Sequence, residues 1–290
     1  MTHHAKAPRA KSKLHRTHYV RFWCGLASSE PLCGYDERVN AIIRVRRYVP
    51  HRASPLITAR APCQTLMFDA DDTLWQNNIY FERAIAAFIS YLDHQVHTAA
   101  EVRERLNEVE RATIARHGYG VKSFRRSLVQ CFEQMTLAPV SEAMHRRIVS
   151  FADSIAEQEM ELLPGVADTL NQLARRHRLL LVTKGDEQEQ RDKVTRSGLS
   201  SLFAAIEVLP EKEEQAYRAL LERHRCTVAT TWMVGNSPKS DINPALAAGI
   251  NAVFLPHEST WVLEQEIVNA PQPQRRLLTL DSFRKLLLHF

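Results

Sequence analysis

The sequence predicts a doubly wound, Rossmann-like α/β core built on a parallel sheet, with an all-helical cap domain inserted after its first strand. Three observations predict it. Short apolar runs alternate with helix-length segments in the later part of the chain, more than 100 residues between the first two runs read as helix, and acidic, hydroxyl and basic residues gather just past the ends of successive runs.

Ahead of these elements the charge is uneven. The first 62 residues hold 12 of the 38 Lys and Arg but only 3 of the 33 Asp and Glu, a net of +9, so the rest of the chain carries −4. This segment also holds Pro8, Pro31, Pro50, Pro55 and Pro62, and apart from "VNAIIRVRRYV" it has no sustained apolar period. Residues 1–62 therefore read as a basic, disordered extension. An Arg-rich, acid-poor leader also fits an organellar transit peptide or a nucleic-acid-binding arm, while a solvated tail or an early start codon accounts for it more simply. With 44% hydrophobic residues in 290, the remainder is long enough for one large domain or two modest ones.

The first strand is "QTLMFD", residues 64–69. The helical insertion follows: Phe81, Ile85, Phe88, Ile89 and Leu92 recur at helical spacing, as do Met144, Ile148, Phe151 and Ile155, and "VKSFRRSLVQCFEQM" supplies another amphipathic piece. Pro164 and Gly165 in "LLPGVADTL" end it. The later strands are "RLLLVT" (178–183), "AAIEVL" (204–209), "TWMVG" (231–235), "NAVFLP" (251–256) and "RLLTL" (276–280), with "EEQAYRALLERH" and "INPALAAG" as crossover helices. The domains expected are a core of residues 63–78 and 164–290 and a cap of residues 79–163.

Ligands of open α/β sheets bind outside the carboxyl ends of the strands, and "LMFDADDTLW" places Asp69, Asp71 and Asp72 at one such end. Asp69 and Asp71 at i and i+2 on an extended tip point the same way and repel unless a cation or proton lies between them. An oxygen-seeking divalent ion such as Mg²⁺ suits them, although a lone pair of aspartates also suits a solvated turn or a helix cap. Thr183 in "VTKGD" ends the second strand beside a turn whose free N–H groups suit an oxyanion, or else caps the next helix. Lys212 follows the third strand, where a cation can bind phosphate, and Asn236 and Asp241 in "GNSPKSD" follow the fourth as further oxygen donors or as an Asx turn.

Four motifs in that order, "FDADDTLW", "VTKGD", "EK" at 211–212 and "GNSPKSDI", closely resemble those of the haloacid dehalogenase-like (HAD) hydrolases. The helical insertion resembles the cap of the branch that includes phosphoglycolate phosphatases and nucleotidases. The resemblance implies a Mg²⁺-dependent phosphatase of small phosphomonoesters. It assigns Asp69 as the nucleophile that forms an aspartyl-phosphate and Asp71 as the general acid/base whose backbone carbonyl also ligates Mg²⁺. Thr183 and Lys212 match the phosphate-holding groups, and Asp69, Asp71, Asn236 and Asp241 make up the implied metal set.

Three positions depart from the family pattern. Asp72 stands where Gly is usual and is given no catalytic role. Lys184 follows Thr183 where a small polar residue is common, and either adds a cation to the phosphate site or points to solvent. Asn236 stands where many members have Asp, which costs the metal site a negative charge.

Readings on the same fold are a phosphotransferase or mutase and a 2-haloacid dehalogenase. Dehalogenases generally lack the second aspartate of the first motif, so Asp71 favours phosphoryl chemistry. A non-catalytic nucleic-acid-binding protein using the basic arm is the reading from a different class.

For substrate selection the expected segment is "RHGYGVKSFRR", where Gly118 and Gly120 break two helices and Tyr119, Lys122 and Arg125 are the candidate contacts. An ordinary polar connection explains the same residues. The expected partner is a small phosphorylated metabolite, with neither membrane nor nucleic acid involved. No run of 18 apolar residues and no signal-like start is present. Cys24, Cys33, Cys63, Cys131 and Cys226 are scattered and form no C-x-x-C pair, so a reducing cytoplasm is the expected location.

Overall fold

The computed structural model describes residues 63–92, 96–136 and 139–290, and the basic extension expected over residues 1–62 lies outside them. Six short strands make one parallel sheet: β1 (Thr65–Phe68), β2 (Arg178–Lys184), β3 (Ala205–Leu209), β4 (Thr231–Gly235), β5 (Asn251–Phe254) and β6 (Leu277–Thr279). Their order is β3-β2-β1-β4-β5-β6. β1 pairs with β2 on one side and β4 on the other, so the chain's winding reverses there and a crevice opens at its carboxyl end.

The strands are apolar on both faces because helices cover both. Leu66, Phe68, Leu179, Leu181 and Val234 pack on one side with α5 (Val166–Leu173), Val194 of α6 (Glu187–Arg196) and the C-terminal Phe283 and Leu286. The alternate residues Met67, Leu180, Val182 and Met233 pack on the other with Tyr217 and Leu220 of α7 (Glu214–Arg223) and Ala245 of α8 (Asn243–Ala247). Each strand therefore serves two cores with a period of two residues.

Between β1 and α5 the chain forms the helical cap, α1 (Asn78–Tyr91), α2 (Ala99–His117), α3 (Val121–Thr136) and α4 (Glu142–Ala156). Its core is its own, with Phe88, Leu106, Leu128, Cys131, Ile148 and Phe151 packed together. α2 starts at a capping box: Glu101 N–H donates to the Thr98 hydroxyl (3.3 Å), and Thr98 N–H donates to the Glu101 carboxylate (2.8 Å). Two antiparallel stalks join cap to core through Gln76 N–H to Glu161 O and Leu163 N–H to Leu74 O, both 2.9 Å. No helix of the described residues is long and apolar enough to cross a membrane.

Candidate active site

Asp69 extends β1 by one residue, its N–H donating to Val234 O at 2.9 Å, which aims its side chain into the crevice. One carboxylate oxygen lies 2.5 Å from Lys212 Nζ and the other accepts from the Thr73 hydroxyl at 2.8 Å. Lys212, buried in the loop after β3, also donates to Asp241 Oδ1 at 2.8 Å. Burial opposes its charge, but Asp241 and Asp69 on either side outweigh that and hold the ammonium protonated well above the lysine range. Burial first, and Asp69 second, push the Asp241 carboxyl up. One ammonium is thus shared by two carboxyl groups in a buried site.

The chain after β4 is shaped around Asp241. Ser237 N–H donates to its Oδ2 at 2.9 Å across the π-type turn Pro238–Ile242, and a β-carbon on Gly235 would fall 2.2 Å from that oxygen. Only glycine leaves room there. Asn236 turns its amide oxygen toward the Thr73 hydroxyl (3.2 Å) that also bonds Asp69, while its NH₂ donates to Thr260 Oγ1 at 3.1 Å. The oxygens of Asp69, Asn236 and Asp241 therefore gather around the tips of β1 and β4.

Asp71 has a separate set of donors. Trp75 Nε1–H (2.7 Å), Gln190 Nε2 (3.0 Å) and Lys193 Nζ (2.9 and 3.1 Å) all reach its carboxylate. Burial works to raise it, but Lys193's charge and these hydrogen bonds prevail and hold it below the ordinary aspartate range. Gln190 also accepts from the Thr183 hydroxyl at 3.2 Å, which links the end of β2 to Asp71. Thr183 does not cap α6; Asp186 does, accepting from Glu189 N–H at 3.0 Å.

Asp72 is left-handed, with φ +58°, which explains why a turn that favours glycine can hold an aspartate here. Its carboxylate accepts from the N–H groups of Asn77 (2.9 Å) and Asn78 (3.1 Å) and so anchors the start of α1.

Two expectations, Lys122 and Arg125, are corrected. Lys184 lines the cavity, and its ammonium is held by Glu264 (2.7 Å), Ser240 Oγ (2.7 Å), Glu211 (3.1 Å) and Tyr119 OH (3.1 Å). Lys122 is exposed and Arg125 pairs with Asp153 of α4, so neither reaches the cavity. α3 begins at Val121, and its rotation carries Ser123, Phe124 and Ser127 inward instead. Of the three candidate contacts, Tyr119 alone lines the cavity, its OH donating to Glu211 at 2.6 Å.

Sequence reasoning passed over Thr73, Trp75, Gln190, Lys193, Glu264 and the cap's Glu110. Gln190 and Lys193 carried a signal, since positions i and i+3 of the helix after β2 share a face. Glu264 carried none. The whole site opens into a cavity of about 150 Å³ between the strand tips and the cap.

A family model described as haloacid dehalogenase-like hydrolase matches residues 63–249. N-acylneuraminate-9-phosphatase of Rattus norvegicus is 32% identical over 121 residues, 40% of this chain and 48% of that protein. Its Homo sapiens counterpart is 31% identical over 116 residues, 38% and 44% of the two. The chain thus spans about half the length of the curated relatives it matches. Among solved structures, a haloacid dehalogenase-like family hydrolase from Xanthomonas campestris is 29% identical with a TM-score of 0.65, over 79% of this chain and 94% of that one. The L-2-haloacid dehalogenase of Xanthobacter autotrophicus, 18% identical with a TM-score of 0.53 over 77% and 96%, shares the fold. A sheet that reverses its winding at Asp69, a helical cap over that crevice and a family model spanning both lead to one conclusion: the chain belongs to the haloacid dehalogenase-like hydrolases.

Proposed function

We propose that the protein is a Mg²⁺-dependent phosphatase of small phosphomonoesters that works through an aspartyl-phosphate on Asp69. The observation that carries this reading is the meeting, at one enclosed crevice, of Asp69 with Lys212 at 2.5 Å, while the neighbouring Asp71 stays on its own donors. The phosphatase relatives at 31–32% identity support the same reading.

Asp69 would attack phosphorus as the bond to the ester oxygen breaks, and Asp71, taking up a proton from water as the negative phosphoryl group binds beside it and raises its carboxyl, would give that proton to the departing alkoxide. The Asp71 carboxylate then takes a proton from the water that attacks the aspartyl-phosphate, which frees phosphate and restores Asp69. Thr183 and Lys212 would hold the phosphoryl oxygens, and burial strengthens both contacts. Lys193 and Gln190 would keep Asp71 oriented between these two proton transfers.

The donor set suits Mg²⁺, an oxygen-seeking ion: Asp69 and Asn236 oxygens share the Thr73 hydroxyl, and Asp69 and Asp241 oxygens share the Lys212 ammonium, so oxygen donors of three residues lie at the strand tips. These side chains with the Asp71 backbone carbonyl would hold the ion, which when bound supplies positive charge to the phosphoryl group. Residues 63–78 and 164–290 would form the catalytic core, and residues 79–163 the cap that closes over a small metabolite. Among the described residues Cys63, Cys131 and Cys226 form no disulfide, in keeping with the proposed cytoplasmic location.

The test is phosphate release from sugar phosphates, nucleoside monophosphates and phosphoglycolate, with and without Mg²⁺, by the wild type and Asp69→Asn. Release that requires both Mg²⁺ and Asp69 is expected. No metal-dependent release from any ester overturns the reading.

A further inference from the structure

The cap wall of the cavity contains a carboxylate with a buried, unpaired oxygen. Glu110 of α2 is 5% exposed and lines the cavity, and its Oε2 has no hydrogen-bond partner among the described residues. The nearby Arg103 does not serve it, because its guanidinium is held by both oxygens of Glu82 at 2.6 and 2.8 Å. Leaving a buried carboxyl oxygen unpaired is costly, and in a ligand cavity the missing donor is supplied by the ligand.

Three hydroxyls on the same cavity lining point to the same chemistry. Ser127 Oγ donates to Ser123 O at 3.1 Å, Ser123 Oγ donates to His117 O at 3.4 Å, and Tyr119 OH donates to Glu211 at 2.6 Å. Each hydroxyl has one proton, so all three have committed theirs to the protein and offer the cavity only acceptor oxygens. Beyond Asn78 at the start of α1, whose amide donates to Ser259 O at 2.7 Å, the other cap side chains on the wall are Phe81, Ile85, Ile114 and Phe124, which offer neither donor nor acceptor. The cap face is therefore apolar surface set with acceptors.

We propose that Glu110 is the residue that selects the leaving group, and that it takes a short chain whose carbons beyond the ester oxygen bear hydrogen-bond donors, hydroxyl or ammonium groups. This rests on the phosphatase reading and narrows it. Above about pH 7, where Glu110 is ionised, a leaving-group carboxylate turned toward the cap wall meets acceptors and a like charge there, and an alkyl group leaves Glu110 unpaired. Size sets a further limit, since a cavity of about 150 Å³ is of the order that encloses a benzene-sized guest, so the chain beyond the phosphoryl group is short.

The experiment compares glycerol phosphate, phosphoethanolamine, n-propyl phosphate and phosphoglycolate as substrates of the full chain and of its Glu110→Gln and Glu110→Leu variants. For the wild type, kcat/KM on a donor-bearing ester is expected to exceed that on propyl phosphate by about tenfold or more, the scale of one hydrogen bond to a charged group, with phosphoglycolate last. Glu110→Leu is expected to bring the ratio near one, and Glu110→Gln to raise phosphoglycolate relative to glycerol phosphate. Glycerol phosphate and phosphoethanolamine separate the hydroxyl from the ammonium source.

A wild type that ranks the four esters alike, or a Glu110→Leu variant that lowers all four by one factor, overturns the proposal. If no ester is hydrolysed, the phosphatase reading has failed, and calorimetric binding of the same four esters to Asp69→Asn, with and without Glu110→Leu, still decides the role of Glu110. Loss of the donor preference on adding Glu110→Leu supports it, and equal binding overturns it.

Discussion

Single atoms set the terms at this site, and Asn236 and Glu110 show it from opposite directions. Asn236 offers an amide oxygen where a carboxylate would add a negative charge, so Asn236→Asp is expected to tighten Mg²⁺ binding by about tenfold in calorimetry. An unchanged half-saturating concentration would count against its place in the metal set. Gly235 is constrained by space: Gly235→Ala would put a β-carbon 2.2 Å from Asp241, and a loss of about 1–3 kcal/mol of stability together with weaker Mg²⁺ binding is expected. Glu110 carries a thermodynamic signature. Burial pushes its carboxyl from 4.5 up to about 7, against the opposing charge of Arg103. Between those two pH values the folded state keeps a proton that the unfolded chain has released, so stability falls as pH rises through the window. The loss reaches about 3 kcal/mol above pH 7. Glu110→Gln is therefore expected to raise the melting temperature by several degrees at pH 8 and hardly at all at pH 4.5. Equal gains at both pH values would show that the carboxylate is not desolvated.

The elements divide by how much of their placement is local. Strands buried on both faces read as continuous apolar runs, which is why β1, β2 and β4 and the acidic tip after β1 were legible in the sequence. α2 was not singled out because its buried face is a sparse set, Val102, Leu106 and Val109, in a strongly charged helix. Lys122 and Arg125 were misread because the direction of a helical side chain follows from where the helix starts, and α3 starts at Val121. Gln190, Lys193 and Glu264 reach the site from separate segments, an arrangement that packing creates and no local pattern announces. The loop between α2 and α3 makes its own prediction. Tyr119 ties it to Glu211 and Lys184 in the core, and Val121 N–H ties it to Glu189 at 3.0 Å. Tyr119→Phe removes the hydroxyl that makes two of these links, so KM is expected to rise about three- to tenfold with kcat little altered. Lys122→Ala, one turn away and exposed, is expected to change neither, and an effect on KM would return Lys122 to the cavity.

At the scale of the molecule, the cores on the two faces of the sheet and the separate core of the cap are joined through two stalks. The sheet buries Phe68, Leu181 and Val234 with α5 and the C-terminal segment, whereas the cap buries Phe88, Leu106, Ile148 and Phe151 among its own four helices. The stalks Leu74–Gln76 and Glu161–Leu163 hold them together by backbone hydrogen bonds at 2.9 Å. A cap with its own core can open or loosen without unfolding the sheet that carries Asp69, and damage to that core should stay largely within it. Phe88 is fully buried with its ring 6.5 Å from that of Phe151, so Phe88→Ala is expected to cost the cap about 3–5 kcal/mol. Hydrogen exchange should then accelerate across α1–α4 while β1, β2 and β4 keep their protection. Mg²⁺ binding at the strand tips should persist, and turnover of small esters should fall because the cavity is no longer closed. Loss of protection in the sheet to the same degree would show that cap and core fold as one cooperative unit, and substrate selection could not then be changed in the cap without cost to the chemistry beneath it.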